Sequence, residues 1–122
     1  MTYLFIGIGG ALGACLRWLI MSNSEVWFGK GMPFGTLIVN VCGSFLLGAV
    51  FGLIEQGALS ETPYKSLLSI GLIGAFTTFS TFSLDTLLLL QQGDWLKAFA
   101  NVTLNVFLCI LAAALAVHLF KG

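Results

Sequence analysis

Charged side chains are scarce in this sequence. Lysine, arginine, aspartate and glutamate make up 8% of the 122 residues, whereas soluble domains carry about 25%. Apolar residues make up 58%, so the few charges cannot solvate a globule of this composition. The net charge is zero and no basic patch is present, which argues against nucleic-acid binding. These shortages favour lipid as the solvent.

Residues that carry catalysis or bind metals are equally few. The only histidine is His118, with no acidic residue or cysteine near it in sequence. Cys15, Cys42 and Cys109 lie inside apolar segments and form no CxxC pair, which argues against zinc and favours packing roles. No nucleophile elbow, phosphate loop or paired-carboxylate motif is found. The sequence therefore predicts a protein that is not an enzyme.

Long apolar runs, in contrast, are abundant. Four segments are each close to the length of about 20 residues that spans a bilayer as a helix: Tyr3–Met21, Phe34–Ile54, Leu67–Leu90 and Ala98–Phe120. Pro33 and Pro63 lie just before the second and third segments, where a helix start tolerates proline. The first segment lacks a basic start and contains Arg17, unlike a cleaved signal peptide. We expect an all-α, multi-pass protein of the cell (inner) membrane, with residues 1–122 forming one four-helix transmembrane domain.

The loop lysines give little information on orientation. Four spans put both termini on one side, together with Lys65 and Lys121, whereas Lys30 and Lys97 lie on the other side. Positive loops normally stay inside, so this balance reflects either a small sample or dual topology. Small residues also recur every fourth position in the first two segments, a spacing that lets helices approach closely. Together these features favour an antiparallel homodimer.

The stretch GAFTTFSTFSLDT, residues 74–86, is the most unusual part of the chain. Between Thr77 and Ser83, five of seven residues carry hydroxyls and the other two are phenylalanines. Serine and threonine compete for backbone hydrogen bonds, so we expect the third helix to be broken near its middle. Non-helical backbone at membrane depth occurs only where it is buried in protein or lines a cavity. Its freed carbonyl oxygens would suit a hard cation.

The two phenylalanines, Phe79 and Phe82, are three residues apart and so share about one helix face. The edge of a phenyl ring carries the positive end of its quadrupole, and two edges can attract a small anion while hydroxyl and amide donors replace its water. The alternative is an ordinary packing pair, against which the dense flanking hydroxyls weigh.

Other polar residues at depth have two interpretations each. Arg17 is either an interfacial residue reaching the headgroups or a cation in a water-filled vestibule. Asn40 either bonds a neighbouring helix or offers N–H donors to a pathway. Asn101, Asn105 and Cys109 recur every four residues, so their common face either lines a polar track or attaches the last helix to a neighbour.

The chain resembles the Fluc family of fluoride channels, also called CrcB, over almost its whole length. The motifs that carry the resemblance are GGALGACLRW at 9–18, PFGTLIVNVCGSFLLG at 33–48 and GLIGAFTTFSTFSLDT at 71–86, with a looser match at NVTLN, 101–105. The resemblance implies an antiparallel, dual-topology homodimer with two separate fluoride pores, each built from both subunits.

The resemblance also implies roles for individual residues. Phe79 and Phe82 match the rings whose edges contact fluoride. Four further positions match pore residues: Asn40, Ser80, Thr81 and Asn105. Cys109 falls where a serine of the fourth-helix polar track is expected, and because a thiol is a poor donor this departs from the family pattern.

Two vestibule residues and a metal site follow from the same resemblance. Arg17 matches the first-helix arginine, and Asp85 falls where relatives have a third-helix acid. Asp85 is expected to be paired or solvated, with Arg17 of either subunit as a candidate partner. Gly74 and Thr77 match the positions whose backbone carbonyls hold a structural sodium ion at the dimer interface.

The expected function is passive, selective fluoride export that gives resistance to fluoride toxicity, with fluoride, a second copy of the chain and the lipid bilayer as partners. One alternative is a small dual-topology drug/proton antiporter, which needs a carboxylate in its first helix. The chain has no acid before Glu25, outside that helix. The other alternative, a non-transporting membrane assembly subunit, leaves the hydroxyls around two rings unexplained.

Overall fold

The computed structural model describes residues 1–29 and 31–121, and this part of the chain contains no β-strand. Its helices follow one another in this order: α1 Thr2–Phe28, α2 Phe34–Glu55, α3 Glu61–Tyr64, a π-helix Lys65–Ile73, α4 Gly74–Phe76, α5 Phe79–Gln91 and α6 Trp95–Lys121. The segments from α3 to α5 form one span, Glu61–Gln91, so the described residues contain four helices long and apolar enough to cross a membrane. The prediction of an all-α membrane protein with four transmembrane helices is confirmed.

The predicted break in the third span is also confirmed. α4 ends at Phe76, and the next two residues are extended, with φ −85° and ψ 156° at Thr77 and φ −150° and ψ 119° at Thr78. The helix resumes at Phe79. The Thr77 hydroxyl donates to the Ile73 carbonyl oxygen at 3.1 Å, which is the side-chain competition expected of threonine in a helix. The nine-residue π-helix before the break is a feature that the sequence did not predict.

Glycines let α1 pack directly on the backbone of the third span. A Cβ atom added at Gly9 would clash with the Leu67 carbonyl oxygen, and one at Gly13 would clash with the Leu72 carbonyl oxygen. A Cβ at Gly48 of α2 would lie 2.5 Å from the Ala113 carbonyl oxygen of α6. The four-residue spacing of small residues is thus used inside one protomer, so it carries no argument for a second copy.

Most of the apolar surface of α1 and α6 is exposed at the surface of the protomer. Only 11% of the most apolar window of each helix is buried. Such surfaces suit lipid tails or another helix, so the antiparallel homodimer stays a prediction. Lys65 and Lys121 form ion pairs with Glu61 at 3.4 Å and Glu55 at 3.3 Å. Lys30, used in counting loop charges, lies outside the described residues, and the dual topology stays a prediction as well.

Candidate functional site

The break in the third span is bridged by one side chain of α2. The backbone N–H of Thr78 donates to Asn40 Oδ1 at 2.8 Å, and Asn40 Nδ2 donates to the Thr78 carbonyl oxygen at 3.0 Å. Both peptide groups of a buried residue are thereby paired with a single amide. Because unpaired backbone groups are costly away from water, Asn40 makes extended backbone tolerable at this depth.

The hydroxyls around the break restart the helix. Thr78 is the N-cap of α5, and its Oγ1 accepts from the Thr81 N–H at 3.1 Å, which satisfies one of the free amides at a helix start. The same hydroxyl donates to Thr81 Oγ1 at 3.1 Å and lies 3.2 Å from Ser80 Oγ. Ser80 is exposed and Thr81 is half-buried. The predicted pore hydroxyls thus form one cluster with the cap.

The bridge and the cap together free two carbonyl oxygens. In a continuous helix the Gly74 carbonyl would accept from the Thr78 N–H and the Thr77 carbonyl from the Thr81 N–H. Those N–H groups instead donate to Asn40 Oδ1 and Thr78 Oγ1. Gly74 is exposed and Thr77 is half-buried in the protomer. The described residues contain no group of three or more His, Cys, Asp or Glu side chains that could hold a metal, so any cation here would depend on carbonyl oxygens.

The two phenylalanine rings lie beside the break and contact each other. The ring centroids of Phe79 and Phe82 are 5.5 Å apart and the planes are inclined by 54°, a tilted geometry that aromatic pairs favour. The Phe79 side chain is 78% exposed. A cavity of about 410 Å³ brings together several predicted site residues: Asn40, Gly74, Thr77, Phe79, Phe82 and Asn105. Cys109 also lines this cavity, whereas Ser80 and Thr81 lie outside its lining.

A second, smaller cavity contains the predicted vestibule acid. Thr36 Oγ1 donates to Asp85 Oδ2 at 2.7 Å, and both residues line a cavity of about 220 Å³ near the connection between α1 and α2. Arg17 is half-buried on α1 and forms no ion pair within the described part of the chain. Within the protomer Asp85 is therefore bonded to Thr36. Thr36 was not predicted from the sequence, although it lies one helical turn before Asn40 on the same face of α2.

The asparagines on the polar face of α6 are hydrogen-bonded to each other and to side chains of α2 and α5. Asn40 Nδ2 donates to Asn105 Oδ1 at 3.1 Å, Asn105 Nδ2 donates to Asn101 Oδ1 at 3.1 Å, and Asn101 Nδ2 donates to Thr86 Oγ1 at 2.9 Å. Asn101 is 1% exposed and Asn105 is 5% exposed. Of the two interpretations of this face, attachment to neighbouring helices describes Asn101 and Asn105 in the protomer. The role of Thr86 as an acceptor was not predicted from the sequence.

Known proteins match this chain over almost its whole length. The family model described as "CrcB-like protein, Camphor Resistance (CrcB)" matches residues 4–117. A curated relative from Alteromonas mediterranea, named "Fluoride-specific ion channel FluC", is 58% identical over 120 residues, covering 98% of this chain and 94% of the relative. Relatives of the same name from Pseudoalteromonas translucida and Aeromonas salmonicida are 50% and 49% identical, covering 93% and 97% of this chain and 95% and 94% of their own lengths.

Proposed function

Because this chain belongs to the CrcB family, we propose that it is a fluoride-specific ion channel of the cell membrane that exports fluoride passively and so gives resistance to fluoride toxicity. The protein is a channel and not an enzyme. The observation that carries the proposal beyond family membership is the pair of contacting rings, Phe79 and Phe82, lining a cavity beside capped, broken helix at membrane depth.

The direction of export follows from simple physical chemistry. Hydrogen fluoride crosses membranes as a neutral weak acid and dissociates inside a cell whose interior is less acidic. A membrane potential that is negative inside then drives the anion outward, by about 2.3 kcal/mol per charge for each 100 mV. The drug/proton antiporter is not favoured, because the relatives are named as fluoride channels. The expectation that Glu25 lies outside the first helix is wrong, since α1 continues to Phe28 and Glu25 lies in its last turn; the position of this acid therefore carries no argument against the antiporter.

Selectivity is proposed to come from a narrow path with positive ring edges and many donors. Fluoride is small and strongly hydrated, so the path must replace its water, whereas chloride is too large for a gap between two rings. The hydroxyls of Ser80 and Thr81 are the candidate donors beside the rings. Asn40 Nδ2 donates to the Thr78 carbonyl oxygen and to Asn105 Oδ1, and Asn40 Oδ1 accepts from the Thr78 N–H. Asn40 can therefore donate to an anion only if Nδ2 gives up one of its two hydrogen bonds.

A second, antiparallel copy is proposed to complete the site. The exposed Phe79 ring and the apolar surfaces of α1 and α6 support this assembly, as does the even distribution of loop lysines. Each dimer would contain two pores built from both subunits. Cysteines placed in each loop of a cysteine-free variant should react with an impermeant reagent from both sides of the membrane. Labelling from one side only at every loop would contradict dual topology.

A structural sodium ion at the dimer interface is the remaining part of the proposal. Gly74 and Thr77 fit such an ion, because the helical donors of both carbonyls are directed elsewhere and two copies would offer four oxygens. Bound there, sodium would compensate carbonyls that lack hydrogen bonds. Replacing sodium with a larger cation should weaken the dimer or its flux, whereas Thr77→Ser should change little because the ligands are backbone atoms. Unchanged flux and dimer stability after rigorous sodium removal would refute the site.

The deciding experiment for the function is a flux assay on purified protein in liposomes. A potassium ionophore lets potassium leave the vesicles together with the anion, and a fluoride electrode then measures fluoride efflux. Fluoride efflux should be rapid, whereas chloride efflux should stay at the level of protein-free vesicles. Equal efflux of both anions would refute selectivity. Transport of a cationic drug driven by a proton gradient, without fluoride efflux, would support the antiporter, and no transport at all would support the assembly subunit.

A further inference from the structure

A continuous series of hydrogen bonds begins at the break and returns to the helix that carries the rings. It runs from the Thr78 N–H to Asn40 Oδ1 and on through the Asn40 amide to Asn105 on α6, each step a donor meeting an acceptor. From Asn105 it passes to Asn101 and then to the Thr86 hydroxyl. We call the three asparagines and Thr86 the amide clamp.

The direction of every bond in the amide clamp is fixed from its far end. The Thr86 hydroxyl donates its only proton to the Phe82 carbonyl oxygen at 2.8 Å, so its oxygen is an acceptor for Asn101 Nδ2. The oxygen of Asn101 must then face Asn105 Nδ2, which also donates to the Asn101 carbonyl oxygen at 2.9 Å. Turning over any one amide would place two oxygens or two N–H groups against each other. The orientation that Thr86 imposes on Asn40 through the two α6 amides is therefore the same one that the Thr78 N–H and carbonyl require, and the two ends of the amide clamp support each other.

The amide clamp holds α5 at two points through side chains of α2 and α6. One end holds Thr78, the residue before Phe79, and the other end holds Thr86 and the Phe82 carbonyl. The Phe79 side chain is 78% exposed in the protomer, so packing within the protomer does little to fix its ring. Within the protomer the position of the ring therefore depends on its contact with Phe82 and on the backbone that the amide clamp holds.

We infer that Asn101 and Thr86 are positioning residues of the ring pair: through Asn105 and Asn40 they fix the Thr78 backbone and hence the ring positions of Phe79 and Phe82. This inference rests on the proposed function for its effect on flux but not for its effect on backbone structure. Neither residue needs to contact fluoride for this role. Their contribution is to keep the break in one geometry while the neighbouring hydroxyls and rings meet the ion.

The test separates the hydroxyl from the shape of residue 86. Thr86→Val keeps the branched shape and removes the hydroxyl, whereas Thr86→Ser keeps the hydroxyl. Thr103→Val on α6 is the matched control, since the Thr103 hydroxyl takes no part in the amide clamp. Fluoride efflux from liposomes should fall about three- to tenfold in Thr86→Val, the range that one interhelical hydrogen bond in a membrane supports. Thr86→Ser should restore most of it.

A second measurement does not depend on transport. Hydrogen exchange of the Thr78 amide, followed by NMR in detergent micelles, should accelerate about three- to tenfold in Thr86→Val and in Asn101→Leu but not in Thr103→Val. Unchanged exchange in both variants would overturn the inference, and so would faster exchange with unaltered flux. Equal defects in Thr86→Ser and Thr86→Val would also overturn it. If the wild-type protein conducts no fluoride, the proposed function fails, and the Thr78 exchange rates alone then decide whether the amide clamp holds the break.

Discussion

The third span contacts α1 through bare backbone, whereas its break is bridged to α2 by the side chain of one asparagine. At the α1 contact, Gly9 and Gly13 have no side chain and the helices touch main chain to main chain. At the α2 contact, the Asn40 amide replaces the partners that the Thr78 peptide groups have lost. The first contact needs an uninterrupted helix surface, and the second exists because the helix is interrupted. The third span is thus packed on the backbone of α1 at one face, and its interrupted backbone is bonded to Asn40 of α2 at the other.

The largest effect is expected where backbone meets backbone. In Gly13→Ala the new Cβ would clash with the Leu72 carbonyl oxygen and would lie 3.1 Å from the Phe76 nitrogen. Since neither is a flexible side-chain end, we expect a loss of about 3 kcal/mol in stability, measured as a lower unfolding temperature and a lower yield of folded protein. Gly7→Ala is the control, because nothing lies within 4 Å of its added Cβ. Equal stability of the two variants would contradict the direct backbone contact.

The next effect is expected at the asparagine. Asn40→Leu leaves the N–H and carbonyl of Thr78 without their partner, which should destabilise the protein by about 2 kcal/mol or more and abolish fluoride efflux. Asn23→Leu is the matched control, since the Asn23 amide bonds only the Leu19 carbonyl of its own helix. A variant at position 40 as stable as the control would mean that the break needs no bridge.

A smaller effect, confined to transport, is expected at the rings. Phe79→Ile and Phe82→Ile keep apolar bulk but remove the ring edges, and each should reduce fluoride efflux by about tenfold, equivalent to about 1.4 kcal/mol, with an unchanged unfolding temperature. Such a result would show that the rings serve transport, whereas the backbone contact with α1 serves stability. Flux at the wild-type level in both variants would refute the role of the ring edges.

The smallest effect is expected at the ion pair between Lys121 and Glu55, which joins the ends of α6 and α2. The side chains of Lys121 and Glu55 are 57% and 42% exposed, and exposed pairs contribute about 0.5 kcal/mol. Glu55→Gln should leave both fluoride efflux and the unfolding temperature nearly unchanged. A large change in either would indicate that this end of the molecule does more than join two helices.

The sequence predicted the four spans and the break because both depend on local composition. Apolar length determines the spans, and the run from Thr77 to Ser83 competes with helical hydrogen bonds at the point where the helix stops. The third span begins at Glu61 rather than near Leu67, because the π-helix and α3 extend it towards the preceding loop. Nothing in KSLLSIGLI distinguishes a π-helix from an α-helix by periodicity.

Partners that lie far apart in sequence could not be predicted in the same way. The bond from Thr36 to Asp85 joins residues 49 positions apart, and the bond from Asn40 to Asn105 joins residues 65 positions apart. The sequence left the face of Asn101 and Asn105 open between a polar track and an attachment, because each side chain suits both. Only the placement of α5 against α6 decides which atoms they meet.

The pairing of helices has a consequence for how the chain is made. α1 packs on the third span and α2 packs on α6, so neither of these contacts joins spans that are adjacent in sequence. During synthesis α1 enters the membrane before the backbone it will contact has left the ribosome, and α2 waits for the last helix. A chain that ended after Gln91 would lack α6 and would leave α2 and α5 without the helix that Gly48 and Thr86 contact. The contact between Gly48 and Ala113 can form only after α6 has been translated. Final assembly therefore occurs among spans that are already inserted.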